Sequence, residues 1–172
     1  MTGVQTCALP IYYLRTLSFT DTKRIGIMGW SLGGIVTMFA VSRSSAFAVA
    51  IDQAGAALTW NGSAQVRSAL SAAAEKETTP TLLLVAQNDR TTASITTLAE
   101  IFKKRGVPHR MVIYEPFTPQ QEGGADIAPG HLVFSAQGTH VWESDVLEFL
   151  GRYLGATSTG TPSGVEPAKS QQ

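Results

Sequence analysis

Two short runs of the sequence, FAVAID at Phe47–Asp52 and TLLLVA at Thr81–Ala86, are apolar on both faces. Strands with that pattern are typical of a parallel sheet that helices cover on each side. Other apolar runs alternate with helical patterns along the chain. The other predicted strands are Arg24–Gly29 and Arg110–Glu115, and the predicted helices are Leu32–Ser42, Ser63–Lys76, Ser94–Arg105 and Val141–Leu154. The pattern predicts an α/β protein, a three-layer sandwich with about four parallel strands.

The composition excludes several other classes of protein. The chain has 172 residues, enough for one domain, and its 13 basic and 13 acidic residues give zero net charge. Because there is no basic surplus, binding to nucleic acid is not expected. The apolar runs are far shorter than the roughly 20 residues that span a bilayer. Cys7 is the single cysteine and there are 3 histidines, so no disulfide or zinc finger is expected, and no metal or cofactor is implied.

The two ends of the chain differ from its middle. Residues 1–11 read MTGVQTCALPI, lack the features of a signal peptide and resemble a translated sequencing adapter, so we expect this segment to be non-native. Residues 155–172 are rich in Ser, Thr, Gly and Pro and are expected to form a disordered tail. The folded domain is therefore expected over residues 12–154, with its native upstream part missing. The sequence indicates neither a localisation nor an oligomeric state.

One motif carries chemistry: Gly29, Trp30, Ser31, Leu32 and Gly33 form the pattern G-x-S-x-G between a predicted strand and a predicted helix. This is the context of a nucleophile elbow, a strained turn that presents a serine hydroxyl at the edge of the sheet. Side chains at Gly29 and Gly33 are expected to collide with neighbouring backbone. The N–H of Leu32 is expected to face a developing oxyanion. The motif predicts Ser31 as a nucleophile.

A catalytic serine requires a general base and a carboxylate that orients this base. In proteins with this elbow the serine, the acid and the histidine follow one another in the chain, each at the carboxyl edge of the sheet. Asp89 lies three residues after the run that ends at Ala86, and Asp52 ends the preceding run. We favour Asp89, because its turn leaves the carboxylate free to reach a histidine, and keep Asp52 as the alternative. A helix cap or an Asx turn would also explain either aspartate.

Three histidines compete for the role of base. His109 precedes its predicted strand and is therefore expected at the opposite edge of the sheet. His131 and His140 both lie in the long segment 118–140, and loops of such length are usually functional or disordered. His140 abuts the start of the last helix, where the helix dipole disfavours an imidazolium. Because the base becomes an imidazolium during catalysis, we favour His131.

From Tyr12 to Leu154 the chain resembles the C-terminal half of a dienelactone-hydrolase-type α/β-hydrolase. The resemblance rests on YLRTLSFTDTKRIGIMGWSLGG, on PTLLLVAQNDRTT, and on a Gly-His pair followed by a final helix that starts at a Trp and ends in FLGRYL. It implies a fold of three layers and no cofactor. By matching positions, it implies Ser31 as nucleophile, Asp89 as acid and Gly130-His131 as the base with its preceding glycine.

The resemblance also bears on the substrate. Trp30 matches the variable position of the elbow and is expected to line the substrate pocket, although plain packing explains it equally well. Dienelactone hydrolases themselves use a cysteine where this chain has Ser31. The chain is therefore similar to the serine members of the group, which resemble carboxylesterases and the catalytic domains of prolyl-oligopeptidase-like enzymes.

These observations favour a serine hydrolase that cleaves an ester, thioester or lactone of a small molecule through an acyl-enzyme. The alternatives are a prolyl-oligopeptidase-like peptidase and a non-catalytic binding protein that keeps the fold. The second oxyanion donor of such enzymes comes from a loop after an earlier strand, which would lie upstream of Tyr12. We therefore expect the chain by itself to be nearly inactive.

Overall fold

The computed structural model describes residues 11–121, 124 and 126–155. The expectations for the first ten residues and for residues 156–172 lie outside the described residues. Within the described part, four strands form one parallel sheet in the order β1-β2-β3-β4, which confirms the predicted fold class. The strands are β1 Gly26–Trp30, β2 Val49–Gln53, β3 Thr81–Ala86 and β4 His109–Tyr114. Only β3 has the predicted bounds, and the others are displaced by one or two residues.

Helices follow each strand. The α-helices that come after the four strands are α1 Leu32–Val41, α2 Ala64–Ala74, α3 Ala93–Arg105 and α4 Thr139–Leu154. Residues 11–16 are also helical, and the 3₁₀ helices Pro129–Phe134 and Ala136–Gly138 precede α4. Ser63, the first residue of the predicted helix, caps α2: its hydroxyl accepts a hydrogen bond from the N–H of Val66 at 3.2 Å. α3 ends at Gly106, whose φ of 69° is a conformation that glycine adopts without strain.

The side chains of β4 show how the helices are layered. The His109 ring packs on Phe102 of α3, with ring centroids 5.8 Å apart. Arg110 and Tyr114 instead reach Asp145 of α4, and the Tyr114 hydroxyl donates to its carboxylate at 2.8 Å. Since successive side chains of a strand point to opposite faces, α3 and α4 cover opposite faces of the sheet.

The core lies at the centre of the sheet. Every residue of β2 and β3 is buried, as the two apolar runs predict, whereas β1 and β4 are partly exposed. Some apolar side chains of the helices are not buried. Leu32 and Val36 of α1 are exposed, and so is Leu147 of α4, because one side of each helix faces away from the sheet. No helix of the described residues combines the length and the hydropathy that crossing a membrane requires.

Candidate active site

Ser31 occupies the tight turn between β1 and α1. Its backbone has φ 59° and ψ −114°, a strained conformation for a residue with a side chain. Its N–H donates to the carbonyl of Gln53 at 2.8 Å, which fixes the turn to the carboxyl end of β2. Its hydroxyl makes no capping hydrogen bond to the helix that follows. The elbow thus has the strain that the motif predicts, and it leaves the Ser31 hydroxyl uncommitted to α1.

The glycines of the elbow differ in what they make room for. A side chain at Gly29 would overlap the backbone of Gly33, as predicted. A side chain at Gly33 would meet no atom of the described residues, so the expected collision there is wrong. The tight position is instead Gly34, where a Cβ would overlap both the Asp52 carboxyl and the backbone of Gly55. Gly34, the residue after the motif, therefore allows α1 to pack against the loop after β2.

Asp89 and His131 are in contact at the same edge of the sheet. The Asp89 Oδ2 lies 2.8 Å from His131 Nδ1, and its Oδ1 accepts from the N–H of Arg90 at 2.7 Å. Both side chains are buried, with 3% of His131 and none of Asp89 exposed. The structure brings together the aspartate and the histidine that the sequence favours. An imidazole held in this way has a fixed orientation and offers Nε2 for proton transfer.

The two other histidines lie elsewhere. His109 begins β4 at the opposite edge of the sheet, and its Nδ1 is 2.8 Å from the carbonyl of Val107. His140 is exposed in the first turn of α4, which begins two residues earlier than predicted. Neither ring is hydrogen-bonded to an aspartate of the described residues.

The segment that carries His131 is held by contacts that the sequence analysis missed. Gly130 packs so closely on the backbone of Asn88 and Asp89 that a Cβ would overlap it. The Asn88 amide pairs with the backbone of Phe117, donating to its carbonyl and accepting from its N–H, both at 2.9 Å. The Gly-His and Asn-Asp dipeptides were visible signals, but only the fold shows that they face each other.

A second anchor comes from α4. The indole N–H of Trp142 donates to the carbonyl of Val133 at 3.0 Å. His131 therefore belongs to a 3₁₀ helix held between the loop after β3 and the last helix. The long segment predicted as a loop has regular structure where the base would lie.

The elbow contacts His131 through the ring of Trp30. The rings of Trp30 and His131 have centroids 5.4 Å apart at an angle of 41°. Among the described residues, no hydrogen bond joins the Ser31 hydroxyl to His131. The N–H of Leu32 is one of the four at the start of α1 that have no acceptor within the helix. The elbow residues and His131 therefore lie at the same end of the sheet, where Trp30 contacts His131.

The Asp52 side chain is also buried at this edge, but its carboxyl lies against Gly34 and Gly55. Its Oδ1 accepts from the N–H of Gly55 at 2.7 Å, and its Oδ2 has no hydrogen-bond partner among the described residues. Burial raises the pKa of Asp52 to about 7, and the hydrogen bond from Gly55 opposes that shift. The structure therefore pairs the histidine with Asp89 and not with Asp52. Within the described part of the chain, no three His, Cys, Asp or Glu residues are grouped to hold a metal ion.

Comparisons with known proteins agree with this architecture. The sequence profile of the prolyl oligopeptidase family matches residues 4–61. No protein with a curated function matches the sequence significantly. Among solved structures, an acylaminoacyl peptidase from Pyrococcus horikoshii has a TM-score of 0.63 and 20% identity over 87% of this chain and 27% of its own. The dipeptidyl peptidase 4 of Porphyromonas gingivalis has a TM-score of 0.64 and 19% identity over 86% of this chain and 22% of its own.

An esterase is equally similar in structure. An esterase from Pyrococcus furiosus has a TM-score of 0.67 and 15% identity over 88% of this chain and 62% of its own. The chain thus spans about a quarter of the length of the two peptidases and less than two thirds of the esterase. At these identities the likeness concerns the fold. Over its described residues, the chain has the α/β fold of the α/β-hydrolases.

Proposed function

We propose that the chain carries the nucleophile, the acid and the base of a serine hydrolase that cleaves carboxylic esters, thioesters or lactones of small molecules. The observation that carries this proposal is the buried contact between Asp89 and His131, at the sheet edge that also holds the strained turn of Ser31. A histidine oriented by a carboxylate at the sheet edge that carries a serine turn is the arrangement that activates a serine hydroxyl. The prolyl oligopeptidase match, which includes the elbow, supports a serine hydrolase in general.

The proposed reaction begins with attack by the Ser31 Oγ on the carbonyl carbon of the substrate. His131 Nε2 takes the hydroxyl proton, and Asp89 holds the ring and stabilises its charged form. The N–H of Leu32 donates to the oxyanion of the tetrahedral intermediate. His131 then gives the proton to the oxygen or sulfur of the leaving group. The leaving group departs, and the acyl group stays bonded to Ser31. A water molecule, deprotonated by His131, hydrolyses this acyl-enzyme to the carboxylic acid and restores the serine.

In the free protein the hydrogen bond from Ser31 to His131 is not formed. This is compatible with the proposal, because catalytic hydrogen bonds are often long in free enzymes and shorten when substrate binds. Trp30 precedes Ser31 in the elbow, and its ring packs on that of His131. We assign Trp30 to the substrate pocket, where its ring would contact the acyl or alcohol group. The resemblance to serine members of the dienelactone-hydrolase type favours small ester or lactone substrates.

A peptidase is the second candidate, and a specific observation favours it. The profile that matches the elbow is that of the prolyl oligopeptidase family, and two of the similar structures are peptidases. The chemistry at the serine would be the same, with an amine as leaving group. The two candidates differ in the substrate that they turn over and not in the residues that act.

The test is covalent labelling of the 172-residue chain by a fluorophosphonate, followed by peptide mapping. The loss of one oxyanion donor slows acylation about 10²–10³-fold. We therefore expect slow but measurable label on Ser31 in the wild type, none in Ser31→Ala, and still slower label in His131→Ala. A folded wild-type chain that fails to label would contradict the proposal and favour a non-catalytic binding protein. Turnover of a short-chain p-nitrophenyl ester against an aminoacyl p-nitroanilide then separates the esterase from the peptidase.

A further inference from the structure

The Asp52 carboxyl lies directly behind the nucleophile elbow. Asp52 is fully buried, and its Oδ1 accepts from the N–H of Gly55 at 2.7 Å. A Cβ on Gly34 or on Gly55 would overlap its carboxyl oxygens. Two glycines, one in α1 and one in the loop after β2, therefore leave the space that this carboxyl fills.

Both elements around the carboxyl are connected to the nucleophile. Gly34 lies in the first turn of α1, three residues after Ser31, and the Ser31 N–H is bonded to the residue after Asp52. The loop after β2 is strained, because Ala54 and Ala56 have φ of 54° and 61°. Positive φ at residues with a Cβ persists only where surrounding contacts hold it. The Gly55 N–H bonded to Asp52 lies between these two strained residues.

We propose that Asp52 is a positioning residue, whose carboxyl sets the orientation of Ser31 by joining the first turn of α1 to the strained loop after β2. The inference rests on the function proposed above, since it concerns the same serine. Asp52 touches no reacting atom in this role. Its effect on the reaction comes from the position that it gives to the elbow, and therefore to Ser31.

The surroundings of Asp52 determine whether its carboxyl is protonated or ionised when it positions the elbow. β1, β3, α1 and the loop at residues 54–62 contain no ionisable side chain. α4 also contacts β2, but it covers the face towards which Val49 points and not the face of Asp52. Arg67 and Arg90 reach this loop at the carbonyls of Trp60 and Leu58. Burial raises the pKa of Asp52 to about 7, opposed by the single hydrogen bond from Gly55. Below about pH 6 the carboxyl is therefore largely uncharged in the folded protein, and near pH 7 about half of it is ionised. Above that range it is a buried anion without a cation, which weakens the packing behind Ser31.

The sign of the pH dependence follows from linkage. In the unfolded chain the Asp52 carboxyl ionises near its ordinary pKa of 3.8, whereas in the folded chain it keeps its proton up to about pH 7. The contribution of Asp52 to stability is therefore fully present below about pH 4, falls as pH rises to about 7, and is constant above. A shift of this size changes the folding equilibrium constant about tenfold per pH unit, or roughly a thousandfold in total.

The first experiment compares urea denaturation of the wild type and Asp52→Asn over this pH range. The amide keeps an acceptor for the Gly55 N–H and cannot ionise. We expect the ratio of the folding constants, wild type over variant, to fall roughly a thousandfold between about pH 4 and about pH 7. Other titrating groups cancel in this ratio. Profiles that stay parallel would overturn the inference, because an Asp52 that is ionised throughout would not follow the pH in this way.

The second experiment measures the rate at which a fluorophosphonate labels Ser31. Near pH 6, Asp52→Asn is expected to label within a few-fold of the wild type, and Asp52→Ala at least tenfold more slowly, because alanine leaves the space behind the elbow unfilled. Above pH 7 the wild type should slow relative to Asp52→Asn. Glu77→Gln is the control, since Glu77 is also fully buried but lies at the opposite edge of the sheet.

Each outcome decides a separate point. Equal labelling of the wild type and a folded Asp52→Ala would overturn the positioning role. If Asp52→Ala does not fold, the pH profile of Asp52→Asn labelling decides. If the folded wild type does not label at any pH, the proposed serine hydrolase fails, and the denaturation ratio still decides whether Asp52 is the uncharged group that supports this loop.

Discussion

Asp52 and Asp89 lie at the carboxyl ends of neighbouring parallel strands and begin from the same local arrangement. Each side chain is buried, and each carboxyl accepts one backbone N–H at 2.7 Å, from Gly55 and from Arg90. The second oxygen separates them. In Asp89 it meets His131 at 2.8 Å, and in Asp52 it has no partner among the described residues. One hydrogen-bond partner distinguishes the aspartate that we propose as the catalytic acid from a carboxyl whose pKa burial raises to about 7.

The backbone explains which aspartate gains that partner. Asp52 belongs to β2, so the alternation of the strand directs its side chain towards α1. Asp89 lies three residues beyond the end of β3, in a turn that is not bound by this alternation. The turn also lies against Gly130, which brings the next residue, His131, within reach. Position relative to the end of the strand therefore decides the role, and residue type does not.

Removing His131 is the largest change to this comparison, because it leaves Asp89 with one partner, as Asp52 has. We expect His131→Ala to lower the rate of Ser31 acylation by about 10⁴–10⁶-fold, as loss of a catalytic base does elsewhere. The measurement is the rate of labelling by a fluorophosphonate, checked with a p-nitrophenyl ester. His140→Ala is the control and should change the rate little, since that ring is exposed on α4. The reverse ranking would assign the base to His140.

Exchanging the carboxyl for an amide at each aspartate tests the comparison directly. Asp89→Asn is expected to keep the fold and lower acylation by about 10⁴-fold, because the amide favours the wrong tautomer of the histidine. Asp52→Asn near pH 6 should cost less than tenfold, because it replaces an uncharged carboxyl with a group of similar shape. Acylation rates and circular dichroism of both variants check this. A large loss in Asp52→Asn beside a small one in Asp89→Asn would give the acid role to Asp52.

The sequence predicts the choice between the two aspartates for the reason that the structure gives. The freedom of a turn after a strand can be read from the position of Asp89 relative to Ala86, and periodicity is enough to locate the strands. The layer order and the parallel sheet follow from the same patterns. These features depend on local sequence and on strand alternation, so they can be predicted from the sequence alone.

Other parts of the site depend on contacts between distant segments and could not be read in this way. Gly130 has a role only because its segment returns to the loop after β3, 42 residues earlier in the chain. The expectation for Gly33 is wrong for the same reason: the motif ends at Gly33, and only packing shows that the next residue, Gly34, is the crowded one. The uncharged state of Asp52 likewise follows from what surrounds it in space.

The space behind Asp52 can be tested by filling it. Gly34→Ala places a methyl group against the Asp52 carboxyl and the Gly55 backbone, and overpacking of this kind is expected to cost about 2–3 kcal/mol of unfolding free energy. Gly33→Ala in the same helix meets no described atom and should be neutral or gain up to about 1 kcal/mol from helix propensity. The difference in urea midpoint between the two variants is the measurement. Equal midpoints would show that the loop after β2 yields to a side chain, and that Asp52 has no fixed position.

The smallest expected effect concerns the support of the other aspartate. Asn88 precedes Asp89, and its side-chain amide makes hydrogen bonds of 2.9 Å with both the carbonyl and the N–H of Phe117. Because Asn88→Ala removes both, it should lower the unfolding free energy by about 1–2 kcal/mol. The matched control is Gln137→Ala. The Gln137 side chain also makes two hydrogen bonds with the backbone of one residue, Gln121, but at an exposed place, so this variant should stay within about 0.5 kcal/mol of the wild type.

The same two variants test whether Asn88 positions Asp89 as well as stabilising the fold. If it does, acylation of Ser31 should slow in Asn88→Ala well below the temperature of unfolding, and it should not slow in Gln137→Ala. Loss of stability with unchanged acylation would limit Asn88 to holding the loop, and would leave the backbone of Arg90 and the ring of His131 as the groups that fix the Asp89 carboxylate.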